Sequence, residues 1–135
     1  MKEIVEINHF FRNQLWLDFA LYTYQPNFLI FGAGENLTYH HDFEFVFHFP
    51  QAVIGRLDFK TSPKEFDTIS VIEGDEAISI NKKHHITTPC NLYKIKHDDA
   101  ETIIVAEGFE VRKQTVLYYK PAEKLETGIQ IAHWL

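Results

Sequence analysis

The amino-acid sequence predicts a mainly β domain of the α+β class, in which an N-terminal helix precedes an antiparallel sheet of about nine strands. Apolar and polar residues alternate along several short segments, which is the pattern of half-buried strands. Turn residues separate these segments at intervals of about 8–12 residues, as they do in sandwiches and barrels. We therefore expect residues 1–135 to form a single domain, either a sandwich or a partly open barrel.

The first predicted element is a helix over residues 2–13. Ile4, Ile7 and Phe11 recur at helical spacing, so their side chains share one face. Glutamates lie near the start of this segment and an arginine lies near its end, which is the charge order that the helix dipole favours.

The segments after this helix are predicted to be strands. The clearest alternation lies in residues 38–49, where aromatic side chains occupy most odd positions and polar side chains most even positions. Because successive strand residues point to opposite faces, one face of this strand is expected to be aromatic and the other polar. The remaining strands are predicted at residues 16–24, 28–32, 52–59, 67–73, 76–81, 91–97, 102–106, 109–119 and 129–135.

Glycine and proline residues mark the predicted turns and a second helix. Gly74-Asp75 is suited to a tight hairpin turn between two of the strands. Pro121 fits the first position of a short helix, and Gly128 fits the position just past its end.

The charge balance limits the class of partner. Lysine and arginine number 13 against 19 acidic residues, and the net charge is -6 with histidine neutral. Nucleic acids and anionic membranes attract clustered cations, and the sequence has no such cluster. The composition therefore predicts no nucleic-acid or membrane partner, and it favours a basic protein partner.

The single cysteine, Cys90, indicates the cellular compartment. With one cysteine no intramolecular disulfide can form, which is typical of a reducing environment. Acidic residues interrupt the N-terminus where a signal peptide needs a continuous apolar stretch. We therefore expect the protein to be cytoplasmic.

A metal site is one hypothesis for the polar face of residues 38–49. His40 and Asp42 lie two residues apart on that face, and His48 lies further along it. A histidine and a carboxylate joined by a second histidine form the facial triad of non-haem iron enzymes. A divalent metal bound by these three residues is therefore one alternative, although no cofactor follows directly from the sequence.

The aromatic face of the same segment has two interpretations. His41, Phe43, Phe45 and Phe47 occupy odd positions and are expected to share this face. The phenylalanines either pack a core between sheets or line an apolar cavity for a small molecule. In the second case His41 would be the polar contact for the ligand.

No sequence motif identifies a catalytic residue, so the leading hypothesis is a non-catalytic binding domain. Small size, acidity and a strand-rich pattern are compatible with a bacterial immunity- or adaptor-type protein that presents an acidic face to its partner. The chain ends on an apolar stretch, residues 129–135, which favours docking on its own sheet or on a second copy in a homodimer.

Overall fold

The structure is a computed structural model that describes residues 2–135. In this range it has two helices and ten strands. None of its helices is long and apolar enough to cross a bilayer. The helices are α1 (Lys2–Phe11) and α2 (Gly74–Lys83), and the strands are β1 (Leu17–Gln25), β2 (Phe28–Gly34), β3 (His40–His48), β4 (Ala52–Ile54), β5 (Asp58–Thr61), β6 (Ile69–Ile72), β7 (Asn91–Lys96), β8 (Glu101–Ala106), β9 (Gly108–Leu117) and β10 (Ile129–Ile131).

The strands form two sheets and not one. The first sheet has six strands in the order β10-β9-β3-β2-β1-β5, and the second has four in the order β4-β8-β7-β6. All neighbours are antiparallel except β10, which runs parallel to β9. The mainly β class is confirmed, whereas the expectation of one sheet with about nine strands is wrong.

The predicted strand at residues 52–59 explains part of this difference. It divides into β4, which joins the second sheet, and β5, which joins the first. Gly55 lies between them with a φ of 129°, a conformation that residues with a side chain rarely adopt. A Cβ atom there would lie 2.8 Å from the main-chain oxygen of Glu101, so the glycine permits both the turn and the close approach of β8.

The two sheets pack against each other through an aromatic core. Phe45 and Phe47 of β3 are fully buried between the layers. Phe47 contacts Tyr93 of the second sheet with a ring-centroid distance of 5.5 Å. Phe11 of α1 packs edge-on against Phe43, which closes one end of the core. This confirms a buried helix face at Phe11 and an inward aromatic face on β3, and the two-layer arrangement fits a β-sandwich.

Two sequence predictions near the second half of the chain are wrong. Residues 76–81, expected as a strand of a hairpin, belong to helix α2. Acidic residues begin this helix and lysines end it, which is the charge order that the helix dipole favours, and Ala77 and Ile80 pack at helical spacing on the second sheet. The helix expected at Pro121 is absent from the structure, because six mostly exposed residues lack the packing that a short helix needs.

Candidate binding site

The outer face of the six-stranded sheet contains a buried polar network that begins at His41. The register of β3 against β9 shifts between His41 and Phe43. As a result His41 lies on the outer face with Glu44, while Phe43 points inward. The expectation that His41 shares the aromatic face is therefore wrong, because side-chain alternation holds only while the ladder is regular.

Both ring nitrogens of His41 bind protein groups. Nδ1 lies 2.7 Å from the hydroxyl oxygen of Tyr118, and Nε2 lies 2.9 Å from a carboxylate oxygen of Glu44. The imidazole is fully buried, and only 6% of Glu44 is exposed. We call His41, Glu44 and Tyr118 the His41 network.

A glycine on the neighbouring strand makes room for this network. Gly32 of β2 pairs with Glu44 of β3. A Cβ atom built on Gly32 would lie 2.6 Å from Nδ1 of His41, well inside van der Waals contact. Any larger residue at this position would displace the imidazole.

The protonation of Tyr118 follows from its surroundings. Burial, followed by the nearby Tyr22, Glu44 and Asp42, raises the pKa of Tyr118 to about 12. The phenol therefore stays protonated at neutral pH. A protonated phenol keeps its hydrogen for the bond with Nδ1 of His41, whereas a phenolate could only accept.

The C-terminal tail covers this network with aromatic side chains. The main-chain N–H of His133 donates to the Tyr22 hydroxyl over 3.0 Å, and its ring Nε2 lies 2.9 Å from the main-chain oxygen of Tyr22. The Trp134 ring lies 5.4 Å from the Tyr22 ring and 5.2 Å from the Tyr118 ring, centroid to centroid. We call Tyr22, Tyr118, His133 and Trp134 the aromatic patch.

Trp134 presents much of its surface to solvent, with 53% of the residue exposed. Tyr22 and Tyr118 are half-buried, and their rings stand edge-on to His41. The patch is therefore a surface of fixed rings above a buried polar base. The sequence predicts the apolar tail but not the patch, because Tyr22 lies 111 positions before His133 and no local pattern relates the two.

Comparison with known proteins adds no relative. No family model, curated protein or solved structure matches this chain.

Catalysis by the His41 network would need access to a reacting atom. A general base must come within hydrogen-bond distance of the proton that it removes, directly or through one water. In the described structure His41 has no exposed surface and no free ring nitrogen. The network is therefore arranged to hold Tyr118 and the outer face of β3 in place.

The predicted metal ligands lie at two ends of β3. Nε2 of His40 is 3.5 Å from a carboxylate oxygen of Asp42, and both side chains are partly exposed. His48 lies at the far end of the strand, where its Nε2 is 3.3 Å from Glu110. Within residues 2–135 there is no group of three or more histidine, cysteine or acidic side chains placed to hold a metal ion. The structure thus brings His40 and Asp42 together but not His48.

The residues predicted to line a ligand cavity are also separated. Phe45 and Phe47 are fully buried in the core between the sheets, with Phe45 edge-on to Phe19 at 4.9 Å. Phe43 is partly buried and packs against the same core. His41 lies on the other side of the sheet, so it cannot serve as their polar contact.

Proposed function

We propose that this chain is a non-catalytic protein-binding domain that binds its partner through the aromatic patch. The observation that carries the proposal is the half-exposed Trp134, which packs on Tyr22 and Tyr118 above the buried His41 network. Tryptophan and tyrosine are enriched among the residues that dominate protein–protein affinity. Side chains that are already held in place lose little conformational entropy on binding.

The rigidity of the patch has a specific structural source. Tyr118 is held by His41, and His41 is held in turn by Glu44. Tyr22 is held by two hydrogen bonds from His133. A polar network of this kind gives the outer rings one arrangement, which favours recognition of a surface over chemistry on a substrate.

The charge of the chain supports a basic partner. At a net charge of -6 the protein attracts a cationic protein from a distance, and salt weakens this attraction. A small bacterial immunity- or adaptor-type protein of the cytoplasm has these properties. The tail on which the expectation of a homodimer rests packs on its own sheet, so a different protein is favoured over a second copy.

A small-molecule binder is the alternative, and the structure gives it less support. The rings that would line the cavity pack on other core rings: the centroid of Phe47 lies 5.0 Å from that of Phe109 and 5.5 Å from that of Tyr93 in the second sheet. An apolar ligand would have to displace these contacts.

Affinity capture with matched tryptophan variants tests the proposal. The wild-type protein, Trp134→Ala and Trp16→Ala are immobilised, and bound proteins from the source cells are identified by mass spectrometry at low and high salt. Trp16 is a suitable control because it is also a partly exposed tryptophan and lies about 20 Å from Tyr22 along β1.

We expect a basic protein to bind the wild type and Trp16→Ala at low salt, and to be lost from Trp134→Ala and at high salt. Equal capture by both variants would show that the aromatic patch is not the binding surface. A wild-type protein that retains nothing above background would argue against a protein-binding function.

A further inference from the structure

The strand β6 forms an open edge of the four-stranded sheet. It pairs with β7 on one side only. The main-chain oxygen of Thr68 accepts a hydrogen bond from Lys96, so Thr68 faces β7. Because antiparallel strands alternate the direction of their polar groups, Ser70 and Ile72 also face β7, while Ile69 and Val71 direct their N–H and C=O groups outward.

Asn8 of α1 occupies the first of the two outward positions. Its side-chain nitrogen donates to the main-chain oxygen of Ile69 over 2.7 Å, and its side-chain oxygen accepts from the main-chain N–H of Ile69 over 3.0 Å. A carboxamide has the same donor and acceptor as a peptide group. Asn8 therefore takes the place that a peptide of an additional strand would have.

The next outward position has no such partner. In residues 2–135 no hydrogen bond is made by the outward N–H and C=O of Val71, and Glu73 continues the extended backbone with φ and ψ of -131° and 172°. These groups border an open groove of about 600 Å³ between β6 and α1. The apolar residues Ile4 and Val5 of α1 line its opposite wall.

The charges along the groove differ between its two ends. At one end Arg12 forms an ion pair with Asp67. At the other end Glu73 has no cationic partner within 4.0 Å in the described part of the chain. A positively charged side chain at that end would complement the carboxylate.

We propose that this groove is a second binding site, which takes an extended peptide segment of a protein partner as an additional strand on β6. The main chain of the segment bonds to Val71 and Glu73, an apolar side chain contacts Ile4 and Val5, and a lysine or arginine lies opposite Glu73. Addition of a peptide strand to an exposed sheet edge is an established mode of recognition. The site is on the opposite sheet from the aromatic patch and does not depend on it.

A phage-displayed library of random peptides is the probe for this site. Peptides are selected on the wild-type protein, and their affinities are then measured for Val71→Pro and Asp58→Pro. Proline removes one outward N–H in each variant, and it is tolerated on an edge strand where that N–H is not part of the ladder. Asp58 is the matched position on β5, the edge strand of the other sheet.

We expect selected peptides with a basic residue to bind the wild type and Asp58→Pro alike, and to bind Val71→Pro at least about tenfold more weakly. The Val71 amide should also exchange slowly with solvent when the peptide is bound. Equal binding to Val71→Pro, or no enriched peptide, would overturn the proposal. Because Trp134→Ala should not change peptide binding, failure here is distinguishable from failure of the aromatic patch.

If Val71→Pro does not fold, Glu73→Lys tests the same binding site. This change reverses the charge at the open end of the groove and leaves the main chain of β6 intact. We expect it to abolish binding of the basic peptides and to lower the thermal unfolding temperature only slightly, because a lysine at the start of α2 opposes the helix dipole. Unchanged peptide affinity in a variant that still folds would overturn the proposal.

Discussion

Single residues decide the geometry of the outer face. Gly32 leaves the space that His41 fills, and His41 connects Glu44 to Tyr118 through its two ring nitrogens. The residues come from three neighbouring parts of the sheet. Each is therefore sensitive to changes in the others.

The first prediction concerns the glycines of β2. Gly32→Ala should lower the free energy of unfolding by about 1–3 kcal/mol, because the new methyl group overlaps the imidazole of His41. Gly34→Ala is the control, since a Cβ atom there meets its nearest neighbour at an ordinary 3.6 Å. Urea unfolding of the two variants measures the difference, and equal stabilities would contradict the placement of His41.

The second prediction concerns His97, which is 99% buried in a separate part of the core. Its ring stacks on Phe59 at 3.9 Å, its Nε2 lies 2.7 Å from the Thr102 hydroxyl, and its Nδ1 has no partner. Burial, only partly offset by Asp99, lowers the pKa of His97 below its usual value of 6.5.

The sign of the pH effect follows from this direction. Below pH 6.5 the unfolded chain binds a proton at His97 before the folded protein does. The stabilisation is thus present above pH 6.5 and is lost as the pH falls through the folded-state pKa. As the pH falls below 6.5, the free energy of unfolding should decrease less for His97→Asn than for the wild type. His84→Asn, which changes an exposed histidine, should behave like the wild type. The same loss in all three proteins would assign the pH dependence to other groups.

At the scale of elements, local patterns predict those structures whose burial is regular. The helical spacing of Ile4, Ile7 and Phe11 predicts α1, and the alternation around Phe45 and Phe47 predicts the inward face of β3. The strands β7 and β8 also follow from their own residues and the turn between them. These elements have one buried face along their whole length, which is the property that periodicity reports.

The remaining elements depend on partners that are distant in sequence. A register shift against β9 determines on which face of the sheet His41 lies, and the residues next to His41 do not predict that shift. Residues 76–81 alternate like a strand but lie on the outer surface of the second sheet, where Ala77 and Ile80 pack at helical spacing. The aromatic patch forms only because the C-terminal tail packs against Tyr22 of β1. The sequence alone predicts that the tail is apolar but not where it packs.

The third prediction tests the contact between α1 and the edge of β6. Asn8→Ala should lower the free energy of unfolding by about 1–3 kcal/mol, because it leaves the buried N–H and C=O of Ile69 without partners. Asn13→Ala changes an exposed asparagine just beyond the helix and should have little effect. Chemical denaturation measures the free energy of unfolding of both variants. An Asn8→Ala protein as stable as the wild type would contradict the prediction and would mean that water bonds to the main-chain groups of Ile69.

At the scale of the whole molecule, the two sheets present different surfaces over one shared core. The six-stranded sheet carries the aromatic patch, held by the His41 network. The four-stranded sheet offers the groove between α1 and the open edge of β6. If both proposed sites are used, the domain binds two segments at once, and its net charge of -6 favours basic ones.

Photo-cross-linking in living cells tests whether the chain binds a partner through the aromatic patch. A benzoyl-phenylalanine replaces the exposed Leu135, which follows Trp134 directly and leaves the patch intact, and the same group at position 16 is the control. If the chain is a binding domain that uses the patch, irradiation should join it at position 135 to one defined basic protein, and position 16 should give no such product. No product at position 135, or the same products at both positions, would contradict this function.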